Sequence, residues 1–110
     1  MSEQEQKKKV LLTTQANEFI YAQPLPVIGE FLMTLKELET NGNLGLPRAK
    51  KVDDKLFEIR IKVARNQYRA FYCYAIGDLI YVLSGFVKKT QKTPLQEIRK
   101  ARQIMKGLGL

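Results

Sequence analysis

Arg60, Arg69, Lys88 and Lys89 are the residues of this chain whose types and spacing could do chemistry, and that chemistry would be done on phosphate. Guanidinium and ammonium groups hold phosphate oxygens and stabilise the charge that builds there as P–O bonds form and break. The rest of the menu is short. The 110 residues include no histidine and one cysteine, Cys73. This excludes Ser-His-Asp and Cys-His nucleophiles, paired-imidazole nucleases, an intrachain disulfide, and a zinc site of the usual Cys/His spacing. Any proton that moves must be carried by Lys, Arg, Glu or Tyr. Glu58, or a lysine whose pKa is lowered by cationic neighbours, is the candidate base.

Charge is distributed unevenly along the chain. Nineteen Lys+Arg against eleven Asp+Glu give a formal net charge of +8, which suits a polyanionic partner or serves solubility alone. Residues 1–47 hold four Lys and six acids, a net of −2, whereas residues 48–110 hold fifteen Lys+Arg and five acids, a net of +10. No repeat or Gly/Ser-rich linker divides the halves, so residues 1–110 read as one domain with a polarised surface. The N-terminus mixes lysines with acids around the short apolar run Val10-Leu11-Leu12, which is no signal peptide. No segment approaches the roughly 18 apolar residues of a membrane span. The expectation is a cytoplasmic protein with no membrane contact, no cofactor and no metal.

Periodicity supplies the elements that must position these residues. Residues 1–8 are polar and expected to fray. Val10–Leu12 reads as a short edge strand and Thr14–Tyr21 as a short helix. After Pro24 and Pro26, the residues Val27, Ile28, Phe31, Leu32, Leu35 and Leu38 recur at helical spacing until Asn41-Gly42. Arg48-Ala-Lys50-Lys51 reads as a basic loop. Leu56–Val63 alternates apolar and charged residues. Tyr68–Ile76 and Leu79–Val87 are rich in aromatic and β-branched residues, with Gly77-Asp78 as a two-residue hairpin loop. Thr93-Pro94-Leu95-Gln96 predicts a helix start with Thr93 as N-cap and Gln96 completing a capping box. That helix runs to about Lys106. The class is α+β: a small single domain with N-terminal helices packed on an antiparallel meander, and a C-terminal helix.

Strand parity sorts the side chains. With Ala64–Gln67 as a loop, Lys62 faces Arg69, Arg60 faces Phe71 and Glu58 faces Cys73. With Gly77-Asp78 as a loop, Cys73 faces Val82, Phe71 faces Ser84 and Arg69 faces Phe86. One sheet face, which includes Tyr81 and Leu83, is apolar and packs on helices. The other carries Glu58, Arg60, Lys62, Arg69, Phe71, Cys73, Val82, Ser84, Phe86 and Lys88. Positive charge mixed with rings suits a nucleic acid whose bases stack on Phe71 or Phe86. The like-charge pair of Lys62 and Arg69 calls for an anion or Glu58. Arg48, Lys50, Lys51 and Lys92 are further candidate RNA contacts, Lys92 beside the N-terminus of the last helix.

Three strings are diagnostic: Leu56-Phe-Glu58-Ile-Arg60, Tyr68-Arg69-Ala-Phe-Tyr72, and Leu83-Ser-Gly-Phe86-Val-Lys88-Lys89-Thr-Gln-Lys92-Thr-Pro94 leading into a helix. In this order and spacing, across about residues 25–103, the chain resembles the phage-derived HigB-like branch of the RelE/ParE toxin superfamily. The resemblance implies a bacterial type II toxin with a RelE-like fold, held inactive by a cognate antitoxin encoded nearby. It further implies ribosome-dependent cleavage of mRNA by 2′-hydroxyl attack, without a metal. The family's catalytic positions fall on Arg60, Arg69, Lys88 and Lys89, with Glu58 and Lys62 nearby. Some relatives use a histidine that this chain lacks. Others have a lysine where Glu58 stands and a tyrosine near the C-terminus, whereas the last tyrosine here is Tyr81. Two alternatives stand beside the nuclease: a ParE-like inhibitor of gyrase without catalysis, and an RNA-binding module that does not cleave.

Overall fold

The period-two pattern of the second half folds into a sheet whose two faces are covered by helices from opposite ends of the chain. The computed structural model describes residues 7–110. In chain order the elements are β1 (Lys9–Leu12), α1 (Thr14–Tyr21), α2 (Leu25–Asn41), β2 (Ala49–Asp53), β3 (Leu56–Val63), β4 (Asn66–Tyr74), β5 (Leu79–Lys88) and α3 (Leu95–Gly107). The sheet order is β1-β5-β4-β3-β2. The α+β class holds. The meander is antiparallel from β2 to β5, but β1 lies parallel to β5, so the sheet is mixed.

Local chemistry explains the element ends. Thr13 caps α1, its hydroxyl accepting from the Ala16 amide at 3.1 Å. Gly42 closes α2 at φ 80°, a left-handed cap whose N–H donates to the Leu38 carbonyl. The predicted fraying of residues 1–6 lies outside the described residues. Lys7 and Lys8 are tied down, each amide donating to the Glu39 carbonyl at 3.0 Å. The Glu39 carboxylate also accepts from the Val10 amide, blunting the free edge of β1.

Helices α1 and α2 cover one face through Ile20, Val27, Phe31, Leu35 and Leu38, which meet Ile59, Ala70, Tyr72, Ile80 and Val82. Leu32, expected in that stripe, is exposed. On the opposite face α3 sends Ala101 and Met105 onto Leu56, Phe71, Cys73, Leu83 and Phe86. Burial pushes the Cys73 thiol up, so Cys73 behaves as a small apolar residue.

Four expectations about strands are corrected. The Arg48-Ala-Lys50-Lys51 segment is largely strand β2, not a loop. The β3–β4 turn is only Ala64-Arg65, with Ala64 at φ 56°, so Arg60 faces Arg69, Lys62 faces Gln67 and Glu58 faces Phe71. This register differs from the predicted one by two residues, so every side chain keeps its face. The β4–β5 loop comprises Ala75–Asp78 rather than Gly77-Asp78 alone, since Tyr74 faces Ile80. A register shift between Phe71 and Tyr72 then swaps the faces of Tyr81, Val82 and Leu83. Phe71 opposite Ser84 and Arg69 opposite Phe86 are as the parity argument has them.

Candidate nucleic-acid interface

Helix α3 packs on Leu56, Phe71, Cys73, Leu83 and Phe86, and the cations gather beyond it, toward the Lys88 end of β5. Two adjoining depressions, of about 780 and 330 Å³, share Arg60, Lys88 and Gln91. The larger adds Arg65, Asn66, Gln67, Lys89 and Thr90; the smaller adds Lys50, Lys92, Thr93 and Glu58 at its floor. Strand β3 supplies Arg60, β5 ends on Lys88, and edge strand β2 supplies Lys50 as the register partner of Glu58. Together these residues make one basic cleft.

Under the cleft lies a closed ionic layer. Glu58 is 1% exposed and Arg69 3% exposed. Arg69 Nε stands 3.3 Å from Glu58 Oε1, and the Thr93 hydroxyl donates to Glu58 Oε2 at 2.7 Å. The other guanidinium nitrogens donate to Gln67 Oε1 at 2.6 Å and the Tyr68 carbonyl at 3.2 Å. Burial pulls the Arg69 guanidinium below its ordinary value, Glu58 partly restores it and Arg60 opposes it. An arginine nonetheless stays protonated near neutrality. Arg69, expected to contact phosphate, lies 3% exposed, with two guanidinium nitrogens donating to Gln67 and the Tyr68 carbonyl and its buried Nε making no hydrogen bond, so it stands as buried positive charge beside Lys88. Glu58, expected as the base, is buried with it: Oε2 accepts from the Thr93 hydroxyl and Oε1 lies 3.3 Å from Arg69 Nε, so the carboxylate is the counter-charge of that arginine.

Lys88 sits where these charges converge. Burial lowers the pKa of its ammonium, Arg69, Arg60 and Lys50 lower it further, and Glu58 opposes them. An amine held this way reaches its neutral form at a lower pH than an ordinary lysine, as a general base requires. Lys89 is exposed beside it in the larger depression.

The remaining predicted contacts divide. Phe71 is fully buried and Phe86 nearly so, their rings 5.5 Å apart beneath α3. Neither offers a stacking surface. Arg48 turns away from the cleft and pairs with Glu37 and Thr34 on α2. Lys50, Lys51 and Lys92 line the smaller depression, and Lys62 is exposed further along β3. The capping expectation fails because Pro94 occupies the cap position of α3 and the Thr93 hydroxyl is spent on Glu58. Sequence reasoning missed Arg65, Gln67, Gln91 and Thr93 as site residues. The last two belong to the most diagnostic string, which was their only signal.

A family model described as Phage derived protein Gp49-like (DUF891) matches residues 18–106. The chain belongs to the Gp49-like family. This phage-derived family is one of RelE/HigB-type toxins of toxin–antitoxin systems. Among curated proteins, none matches the chain. The segment matched by the Gp49-like model begins inside α1 and ends in the last turn of α3, so it takes in every cleft residue. No helix among the described residues is long and apolar enough to cross a membrane.

Proposed function

We propose that this Gp49-like toxin is a ribosome-dependent mRNA endoribonuclease of the HigB-like branch, inhibited by a cognate antitoxin. The observation that carries the reading is the cleft itself: Arg60 and Lys88 line both of its depressions, with Lys50, Lys89 and Lys92 around them, and burial with cationic neighbours lowers the Lys88 pKa. Neutral Lys88 takes the proton of an RNA 2′-hydroxyl. The 2′-oxygen bonds to the adjacent phosphorus, and the bond from phosphorus to the 5′-oxygen breaks. The products are a 2′,3′-cyclic phosphate and a 5′-hydroxyl whose proton comes from the Lys89 ammonium or water. Arg60 neutralises the phosphorane oxygens, and Arg69 contributes its charge from below without touching them. Lys50, Lys92 and Arg65 bind the flanking backbone. A cleft without an imidazole leaves substrate alignment to the ribosome, which is why naked RNA is a poor substrate in this reading.

The test is inducible expression of the chain followed by mapping of mRNA 5′ ends. Growth arrest with new 5′ ends inside translated codons is the expected result. Arrest without such cuts, accompanied by inhibited supercoiling, would replace the nuclease with a ParE-like gyrase inhibitor.

A further inference from the structure

We propose that Thr93 is a positioning residue: its hydroxyl, bonded to the buried Glu58 carboxylate, holds the loop between β5 and α3 over the cleft, so that Gln91 and Lys92 meet the RNA. Residues 89–94 form no helix or strand, yet they build one wall of the cleft. Gln91 lines both depressions, and Lys92 and Thr93 line the smaller. The Thr90 hydroxyl closes the loop on itself, donating to the Lys92 carbonyl at 2.8 Å. The Thr93 hydroxyl instead donates to Glu58 Oε2 at 2.7 Å. Among the described residues it is the one hydrogen bond by which residues 90–93 reach the sheet.

Glu58 makes a fixed anchor. It is buried, and Arg69, whose Nε stands 3.3 Å from Oε1, is itself held by Gln67 and the Tyr68 carbonyl. A hydroxyl on an ionised carboxylate forms a charge-assisted bond, stronger than a neutral one. The loop needs such a tie, because Lys92 shares the smaller depression with Lys50, Arg60 and Lys88, and like charges push it outward.

The bond also displaces a local one. Thr followed by Pro is a good helix start, but Pro94 takes the cap position and no side chain caps α3. A cap given up for a contact 35 residues away answers to the site rather than to the helix. The inference rests on the cleft being the RNA site of the proposed reaction.

The test compares the full-length wild type with Thr93→Val, which keeps the shape and loses the hydroxyl, and Thr93→Ser, which keeps the hydroxyl. Amide relaxation should show Thr90, Gln91 and Lys92 gaining fast motion in Thr93→Val and regaining wild-type order in Thr93→Ser. A single-stranded RNA with 2′-O-methyl groups, which cannot undergo 2′-hydroxyl attack, should bind Thr93→Val roughly threefold or more weakly, the scale of one displaced surface charge. The serine variant should bind it as the wild type does. Turnover on programmed ribosomes should fall in Thr93→Val by up to about 10²-fold, the cost of an ångström-scale misplacement. If Thr93→Val does not fold, Arg69→Met with Glu58→Leu removes the acceptor instead, and the same amides should become mobile. Wild-type loop order and RNA affinity in whichever of these variants folds overturn the proposal, and so does a serine variant that behaves as the valine one. Failure of the wild type to bind the methylated RNA at low salt overturns it together with the nuclease reading. A wild type that binds this RNA but cuts no message removes the nuclease reading alone, and the amide and affinity measurements still decide the part played by Thr93.

Discussion

Replacing Lys88 with methionine keeps the stem that packs at the end of β5 and removes the amine. Cleavage should fall by about 10²–10⁴, the ordinary worth of a general base, with circular dichroism unchanged. The wild-type rate should rise with pH through a limb below the usual lysine value of about 10.4, because burial and cationic neighbours lower the Lys88 pKa. A pH–rate profile checks this, and Lys88→Arg should lose the limb. Stability carries the same sign. The native state binds fewer protons than the unfolded chain between the folded and unfolded pKa values of Lys88, so its contribution becomes more favourable as pH rises through that window. Arg69 calls for a different test. Arg69→Ala strands the buried Glu58 carboxylate and should cost about 3–5 kcal/mol in urea unfolding, so any loss of toxicity would report the fold. The double replacement Arg69→Met with Glu58→Leu should recover most of that stability, since a buried ion pair often gains little over apolar residues of similar volume.

Gly85 fixes how closely α1 approaches the sheet. A Cβ there would stand 2.2 Å from the Phe19 ring and 2.9 Å from the Arg69 carbonyl. Gly85→Ala should therefore lower stability by about 1–3 kcal/mol by thermal or urea unfolding, and trimming Phe19 to alanine should relieve only the ring's share. The alternation over β3, the position of α1 and the stripe of α2 were legible in the sequence because each is a local period with its own end signals. Several features that depend on distant partners are not, although β1 is the short edge strand that Val10–Leu12 predicts. Strand β2 is a lysine-rich edge with little alternation, and it becomes a strand only by pairing with β3. The Ala64-Arg65 turn lacks the glycine or asparagine that usually marks a positive φ. A register shift leaves no residue signature, so parity alone puts Tyr81, Val82 and Leu83 on the faces opposite to those they occupy. Parity brought Arg60, Arg69, Glu58 and Lys88 to one face, but it could not show α3 burying Phe71 and Phe86 there.

Across the whole molecule, charge follows the layers. The chain through Pro47, with a net of −2, builds β1 and the helices of one face; the remainder, with a net of +10, builds the other strands and α3. RNA binding should weaken steeply with salt, each phosphate contact adding about −0.7 to the slope of log K against log salt for a single strand. Neutralising Lys50 and Lys92 together should make that slope shallower by roughly 1.4 without stopping cleavage, as read by titration at several ionic strengths. In the proposed reaction the Lys88 and Arg60 cleft performs 2′-hydroxyl attack on ribosome-bound message. The most direct measurement is cleavage of mRNA in programmed ribosomes, with product ends analysed for the wild type and Lys88→Met. Cuts leaving a 2′,3′-cyclic phosphate, lost in Lys88→Met and nearly absent on naked RNA, are the expected result. Undiminished cutting by Lys88→Met, or no cutting by the wild-type protein, would contradict the account.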